Sequence, residues 1–141
     1  MEKTKDALPP KRILLVDDER LVRETIRLLL RAGGHTVVEA NNGAEALGLF
    51  AREAFDLVVT DYEMPFVKGN ELAARIKQKS PLQPILMITG HRREAGPGNP
   101  VDVILSKPFH FSKLQAAMAE ALGRFEAEGV EPAVCECGLL N

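Results

Sequence analysis

Polar side chains that can take part in a reaction follow four short apolar runs of this sequence. Five positions share this placement: Asp17, Asp18, Asp61, Thr89 and Lys107. In parallel α/β sheets, ligands bind outside the carboxyl ends of the strands, so residues that follow such strands meet at one edge. We therefore expect three carboxylates, a hydroxyl group and an ammonium group to share one site.

Three carboxylates in one site need a cation. At separations of a few ångströms, each pair repels by roughly 1–4 kcal/mol, and Lys107 alone cannot neutralise three charges. Mg²⁺ accepts one or two carboxylates and completes its shell with water and phosphate oxygens. In such a site one carboxylate can attack phosphorus and form an aspartyl phosphate, while the metal, Lys107 and Thr89 stabilise charge on the phosphoryl oxygens. These residue types indicate metal-assisted phosphoryl transfer.

Five apolar runs alternate with segments of helical spacing, and these elements must position the site. The runs are Ile13–Val16, Thr36–Val38, Leu57–Thr60, Ile85–Ile88 and Val103–Leu105. Because the runs lack polar alternation, helices should cover both faces of the sheet that they form. The sequence therefore predicts an α/β protein with a doubly wound, parallel, five-stranded sheet.

The linker between the fourth and fifth runs, residues 91–102, departs from this alternation. It contains Gly96, Pro97, Gly98 and Pro100, and these residue types break helices. We therefore expect the fourth helix of the alternating series to be short or absent.

The composition predicts one cytoplasmic domain. The 141 residues are 45% hydrophobic and 27% charged, which is ordinary for a soluble single domain. A net charge of −2 gives no general attraction for nucleic acid or membranes, and no run suits a signal peptide or a membrane span. We predict a flexible lead at 1–10, a folded domain at 11–128 and a flexible tail at 129–141, too short for a DNA-binding output domain. Cys135 and Cys137 in this tail are too few for a closed zinc site.

The five polar positions and their neighbours resemble the receiver domain of two-component response regulators, including single-domain receivers of the chemotaxis type. The motifs are Asp17-Asp18, Asp61 followed by Met64-Pro65, Thr89, and Lys107-Pro108-Phe109. The resemblance runs from about Lys11 to Phe125. It implies a flavodoxin-like sheet with strand order 2-1-3-4-5.

The resemblance also assigns a phosphoacceptor and a metal site. Asp61 would be the phosphoacceptor, and Mg²⁺ would be the cofactor. Asp18 would bind the ion directly and Asp17 partly through water, while the backbone carbonyl of Glu63 would supply a further ligand.

Further roles follow from the same resemblance. Thr89 would hydrogen-bond a phosphoryl oxygen, and Lys107 would pair with the acidic cluster and the phosphoryl group. The Lys107–Pro108 peptide bond would be cis. The side chains of Glu63 and His91 lie where the family tunes the rate of dephosphorylation.

The resemblance implies a signalling switch rather than a turnover enzyme. A sensor histidine kinase or a histidine phosphotransfer protein would phosphorylate the chain, which would then change its affinity for a downstream protein. In the family an aromatic residue three positions before the lysine turns inward on activation, but Ile104 stands there. Thr89 and Lys107 are also only 18 positions apart (107 minus 89), about a helical turn less than is usual.

Two other functions are compatible with parts of the sequence. An inert receiver-like scaffold would explain Ile104 and the short linker. A phosphohydrolase of the haloacid dehalogenase type also uses an aspartate nucleophile and Mg²⁺. It requires a second aspartate two residues after the first, and Glu63 occupies that position.

Overall fold

The computed structural model describes residues 8–90 and 100–130, with the backbone alone for 124–130. The described strands are β1 (Arg12–Val16), β2 (Thr36–Ala40), β3 (Leu57–Asp61), β4 (Ile85–Thr89) and β5 (Val103–Ser106). The described helices are α1 (Arg20–Ala32), α2 (Gly43–Arg52), α3 (Gly69–Lys79) and α4 (Phe111–Val130). Each apolar run of the sequence forms a strand, so the predicted alternation is confirmed.

The five strands form one parallel sheet in the order β2-β1-β3-β4-β5, which confirms the predicted topology. Alternate residues of each strand enter different cores. Ile13 and Leu15 of β1 pack with α1 and α4 on one face, whereas Leu14 and Val16 pack with α2 and α3 on the other. All four side chains are at most 1% exposed. The absence of polar alternation thus reflects a sheet covered on both faces.

Some predictions concern residues that the structure does not describe. The prediction of a short or absent helix falls largely on positions 91–99, and His91, Cys135 and Cys137 also lie outside the described residues. The helix α4 ends at Val130, two residues past the predicted end of the folded domain at 128, and the domain boundaries stay a prediction. No helix in the described part of the chain combines the length and apolar character needed to cross a bilayer.

Candidate functional site

Four neighbouring strands bring the predicted site residues to one edge of the sheet. Asp61 and Thr89 are the last residues of β3 and β4, and Asp17 and Lys107 follow β1 and β5 directly. The backbone N–H of Lys107 donates to the Thr89 carbonyl at 2.9 Å and so extends the pairing of β4 with β5. The order of the strands therefore places these residues side by side although they are far apart in the sequence.

Three carboxylates meet at this edge. One ligand oxygen from each of Asp17, Asp18 and Asp61 lies within 4.8 Å of the others. The Lys107 ammonium group lies 3.1 Å from Asp61 Oδ1 and is the cation that contacts Asp61 among the described ion pairs. Asp17 and Asp61 are buried, whereas Asp18 is exposed. The pocket is thus open to solvent on the Asp18 side.

Burial disfavours the charged form of two of these carboxylates. It raises the pKa of Asp17 from 3.8 to about 6, although a hydrogen bond from the Glu19 backbone N–H to Asp17 Oδ1, at 2.8 Å, opposes the shift. Burial also raises the pKa of Asp61, and the hydrogen bond and charge of Lys107 oppose this. A divalent cation would stabilise both ionised groups, and clustered carboxylate oxygens are the ligands that Mg²⁺ prefers. The described residues therefore fit the predicted metal.

The loop after β3 is anchored by a buried methionine. Met64 is 4% exposed and packs in the core with α2 and α3, which explains an apolar residue at this position after Asp61. Phe66 turns the chain with a positive φ of 71° and is 97% exposed. The carboxylate of Glu63 is exposed and lies 3.5 Å from Lys68 Nζ. The role of the Glu63 carbonyl as a metal ligand stays a prediction.

The segment around β5 carries the remaining predicted positions. The Lys107–Pro108 peptide bond is cis, as the resemblance implies. Ile104 is half-buried on β5 and pairs with Met87 of β4. Its neighbours Val103 and Leu105 belong to the core under α1 and α4, so the Ile104 side chain faces the opposite side of the sheet. A role of Ile104 in switching stays a prediction.

Two residues at the site were not singled out from the sequence. Gly69 begins α3, and a Cβ atom added there would lie 2.3 Å from the carbonyl oxygen of Asp61. Arg23 of α1 donates from Nη1 to the carbonyl oxygen of Asp17 at 2.8 Å. A glycine at the start of a predicted helix is a sequence signal that could have identified Gly69. Nothing in the spacing of Arg23 distinguishes it from the other arginines of α1.

The raised pKa of Asp17 predicts that the metal-free protein loses stability as pH rises. Between pH 3.8 and about 6, Asp17 keeps its proton longer in the folded than in the unfolded state. The free energy of unfolding should therefore fall through this window, by on the order of 2–3 kcal/mol for this group. Urea unfolding in EDTA at several pH values would measure it, with Asp17→Asn as the matched variant. Equal pH slopes for Asp17→Asn and wild type would contradict the prediction.

The chain is similar to a known protein family over most of its length. The family model of the response regulator receiver domain matches residues 13–119. Response regulator MprA of Mycobacterium ulcerans is 38% identical over 126 residues, covering 86% of this chain and 54% of that protein. MprA of Mycobacterium sp. strain KMS is 40% identical over 119 residues, covering 82% of this chain and 52% of that protein. The chain thus spans about half the length of these relatives.

Solved structures show the same fold. The response regulator protein TrrA from Thermotoga maritima, in complex with Mg²⁺-BeF, is 34% identical with a TM-score of 0.75 and covers 79% of this chain and 99% of TrrA. The chemotaxis response regulator CheY4 of Vibrio cholerae is 28% identical with a TM-score of 0.74, covering 81% of this chain and all of CheY4, 100%. The similar region covers nearly the whole length of each of these two solved structures.

Proposed function

Because this chain belongs to the response regulator receiver family, we propose that it accepts a phosphoryl group on Asp61 in two-component signalling. The observation that carries the proposal is the environment of that carboxylate. Asp61 is 6% exposed, contacts the Lys107 ammonium group at 3.1 Å, and shares a cluster with Asp17 and Asp18. One nucleophile, one cation and two possible metal ligands are therefore combined at the end of a buried strand.

In this mechanism the Asp61 carboxylate attacks the phosphorus atom of a phosphohistidine. The bond between phosphorus and the Asp61 oxygen forms as the bond to the histidine nitrogen breaks. That nitrogen takes a proton from solvent, so the donor leaves as neutral imidazole. Lys107 holds Oδ1 of Asp61 and balances the charge that the phosphoryl group brings. Thr89, at the end of β4, is the hydroxyl group that we assign to a phosphoryl oxygen.

Asp17 and Asp18 would hold Mg²⁺, with the backbone carbonyl of Glu63 as a further ligand. The bound ion would neutralise charge on the phosphoryl oxygens. Because burial raises the pKa of Asp17 to about 6, binding of the metal below that pH would release the proton of this carboxyl group.

The partners follow from the chemistry of the donor. We propose a sensor histidine kinase or a histidine phosphotransfer protein as the source of the phosphoryl group. We also propose that the reaction takes place in the cytoplasm. The product would act by changing the affinity of residues 11–128 for a downstream protein, with 1–10 and 129–141 as flexible flanks. Glu63 and His91 would tune the lifetime of the phosphorylated state.

A receiver-like scaffold is the second candidate, and Ile104 is the observation that favours it. An isoleucine cannot reproduce the inward rotation of an aromatic ring at this position of β5. Beryllofluoride with Mg²⁺, which mimics an acyl phosphate, distinguishes the two functions by amide exchange. Protection confined to the loops after β1 and β3 would indicate a scaffold. Changes that extend to Ile104 would indicate a switch without an aromatic residue.

The phosphoacceptor function predicts an adduct that depends on Mg²⁺. Incubation of the chain with acetyl phosphate and Mg²⁺ should give one phosphoryl adduct in intact mass spectra. The same incubation with EDTA should give little or none, because the repulsion among Asp17, Asp18 and the incoming phosphate is then uncompensated. Absence of an adduct in both conditions would contradict the function. Repeated turnover of a phosphomonoester would instead indicate a phosphohydrolase.

A further inference from the structure

Arg23 connects the acidic pocket to the neighbouring strand. It lies in the first turn of α1, and its side chain is only 12% exposed. Nη1 donates to the Asp17 carbonyl oxygen at 2.8 Å, and Nε donates to Glu39 Oε1 at 2.8 Å. The guanidinium group therefore joins three elements: α1, the end of β1, and β2.

Glu39 holds this guanidinium group in place. It lies on β2 in register with Leu15 of β1, and its carboxylate also receives a charge contact from Arg27, whose Nε lies 3.1 Å from Oε2. Among the described residues, Nε of Arg27 has no hydrogen-bond partner, and no described hydrogen bond joins Arg27 to Asp17. The two arginines thus share one partner, but only Arg23 reaches the pocket.

Three described hydrogen bonds restrain Asp17 itself. Its N–H donates to the Ala40 carbonyl at 3.2 Å, its Oδ1 accepts from the Glu19 N–H at 2.8 Å, and its carbonyl accepts from Arg23. The first two bonds come from the backbone, whereas the third comes from a side chain. Substitution of Arg23 therefore removes one restraint on Asp17 directly, whereas the partners of the other two bonds remain and those bonds can only be loosened.

We infer that Arg23 is a positioning residue that sets the Mg²⁺ affinity of the pocket by holding the backbone of Asp17. The inference rests on the proposed function, which supplies the metal. Mg²⁺ demands near-ideal octahedral geometry, so its affinity is sensitive to how firmly a ligand is held. Loss of a group that orients a metal ligand typically lowers affinity by 10-fold to 100-fold. Arg23 is such a group for Asp17, because it binds the Asp17 carbonyl oxygen.

The test compares Arg23→Gln with Arg27→Gln. Each change removes one guanidinium group from the Glu39 carboxylate, but only the first removes a bond to Asp17. Titration with Mg²⁺ alone, followed by the NMR shifts of the amides from Asp17 to Glu19, should show affinity about 10-fold weaker for Arg23→Gln. Arg27→Gln should bind like the wild type. In the metal-free protein, the Glu19 amide should exchange faster in Arg23→Gln than in Arg27→Gln.

Three results would overturn the inference: wild-type affinity in Arg23→Gln, equal losses in both variants, or unchanged exchange at Glu19. If Arg23→Gln does not fold, Glu39→Ala serves instead, because it keeps Arg23 but removes its anchor. We expect Glu39→Ala to weaken Mg²⁺ binding by less than the about 10-fold expected for Arg23→Gln, because the guanidinium group remains and only its anchor is lost. Wild-type affinity in Glu39→Ala would again overturn the inference. Because the readout is metal binding to the unphosphorylated chain, a failure to accept phosphate would contradict the proposed function alone.

Discussion

Asp61→Asn should abolish the phosphoryl adduct that the wild-type chain forms with acetyl phosphate and Mg²⁺. The substitution is nearly isosteric, so the buried end of β3 should be retained. However, the carboxamide is neutral and cannot act as the oxygen nucleophile, and it also loses its charge attraction to Lys107. We expect the rate of adduct formation to fall by at least about 10³-fold, the size of loss that removal of a catalytic nucleophile causes in enzymes. Intact mass spectrometry over time would measure it.

Asp56→Asn is the matched control for this experiment. Asp56 immediately precedes β3 and lies at the opposite end of the strand from Asp61, where its carboxylate accepts from the Arg12 N–H at 2.8 Å. The asparagine keeps an acceptor oxygen there, so phosphorylation should proceed at the wild-type rate. An undiminished adduct on Asp61→Asn would show that another residue is the acceptor, and the assignment of the site would then be wrong.

Gly69→Ala should be strongly destabilising because backbone, rather than flexible side chain, occupies the space that the methyl group needs. The added Cβ would lie 2.3 Å from the Asp61 carbonyl oxygen and 2.9 Å from Tyr62 Cα. Either α3 or the end of β3 must move, and the Gly69 N–H bond to the Tyr62 carbonyl, 3.0 Å long, would be lost or distorted. We expect the free energy of unfolding to fall by about 3 kcal/mol, measured by urea denaturation.

Gly123→Ala provides the contrast within the same chain. Gly123 is exposed on α4, and an added Cβ would meet no atom within 4 Å. Alanine should therefore stabilise the protein by about 0.5–1 kcal/mol, since glycine is costly in a helix interior. Because Gly69 lies against the end of β3 that carries Asp61, the proposed function predicts that Gly69→Ala also slows phosphorylation of the fraction that folds. A wild-type urea midpoint for Gly69→Ala would contradict the close approach of these two backbone segments.

Much of the fold could be predicted from short stretches of sequence. Buried parallel strands require continuous apolar residues, and each of the five runs, such as Leu57–Thr60, contains this signal locally. The candidate site could also be predicted, since the polar residues that follow such strands must meet at one edge. The boundaries were less predictable: β2 extends to Ala40, past the β-branched run, because its last residues pair with β1.

The five strands, the helices α1 to α3 and the acidic set at the carboxyl edge were therefore predictable from the chain alone, because they depend on residue type and local periodicity. The way in which the acidic set is held depends on the folded arrangement. The bond from Arg23 to Asp17, the contact of Gly69 with Asp61 and the raised pKa of Asp17 depend on distances and burial in the folded chain. Separation along a sequence does not specify those distances, since packing brings remote segments together and excludes water from them.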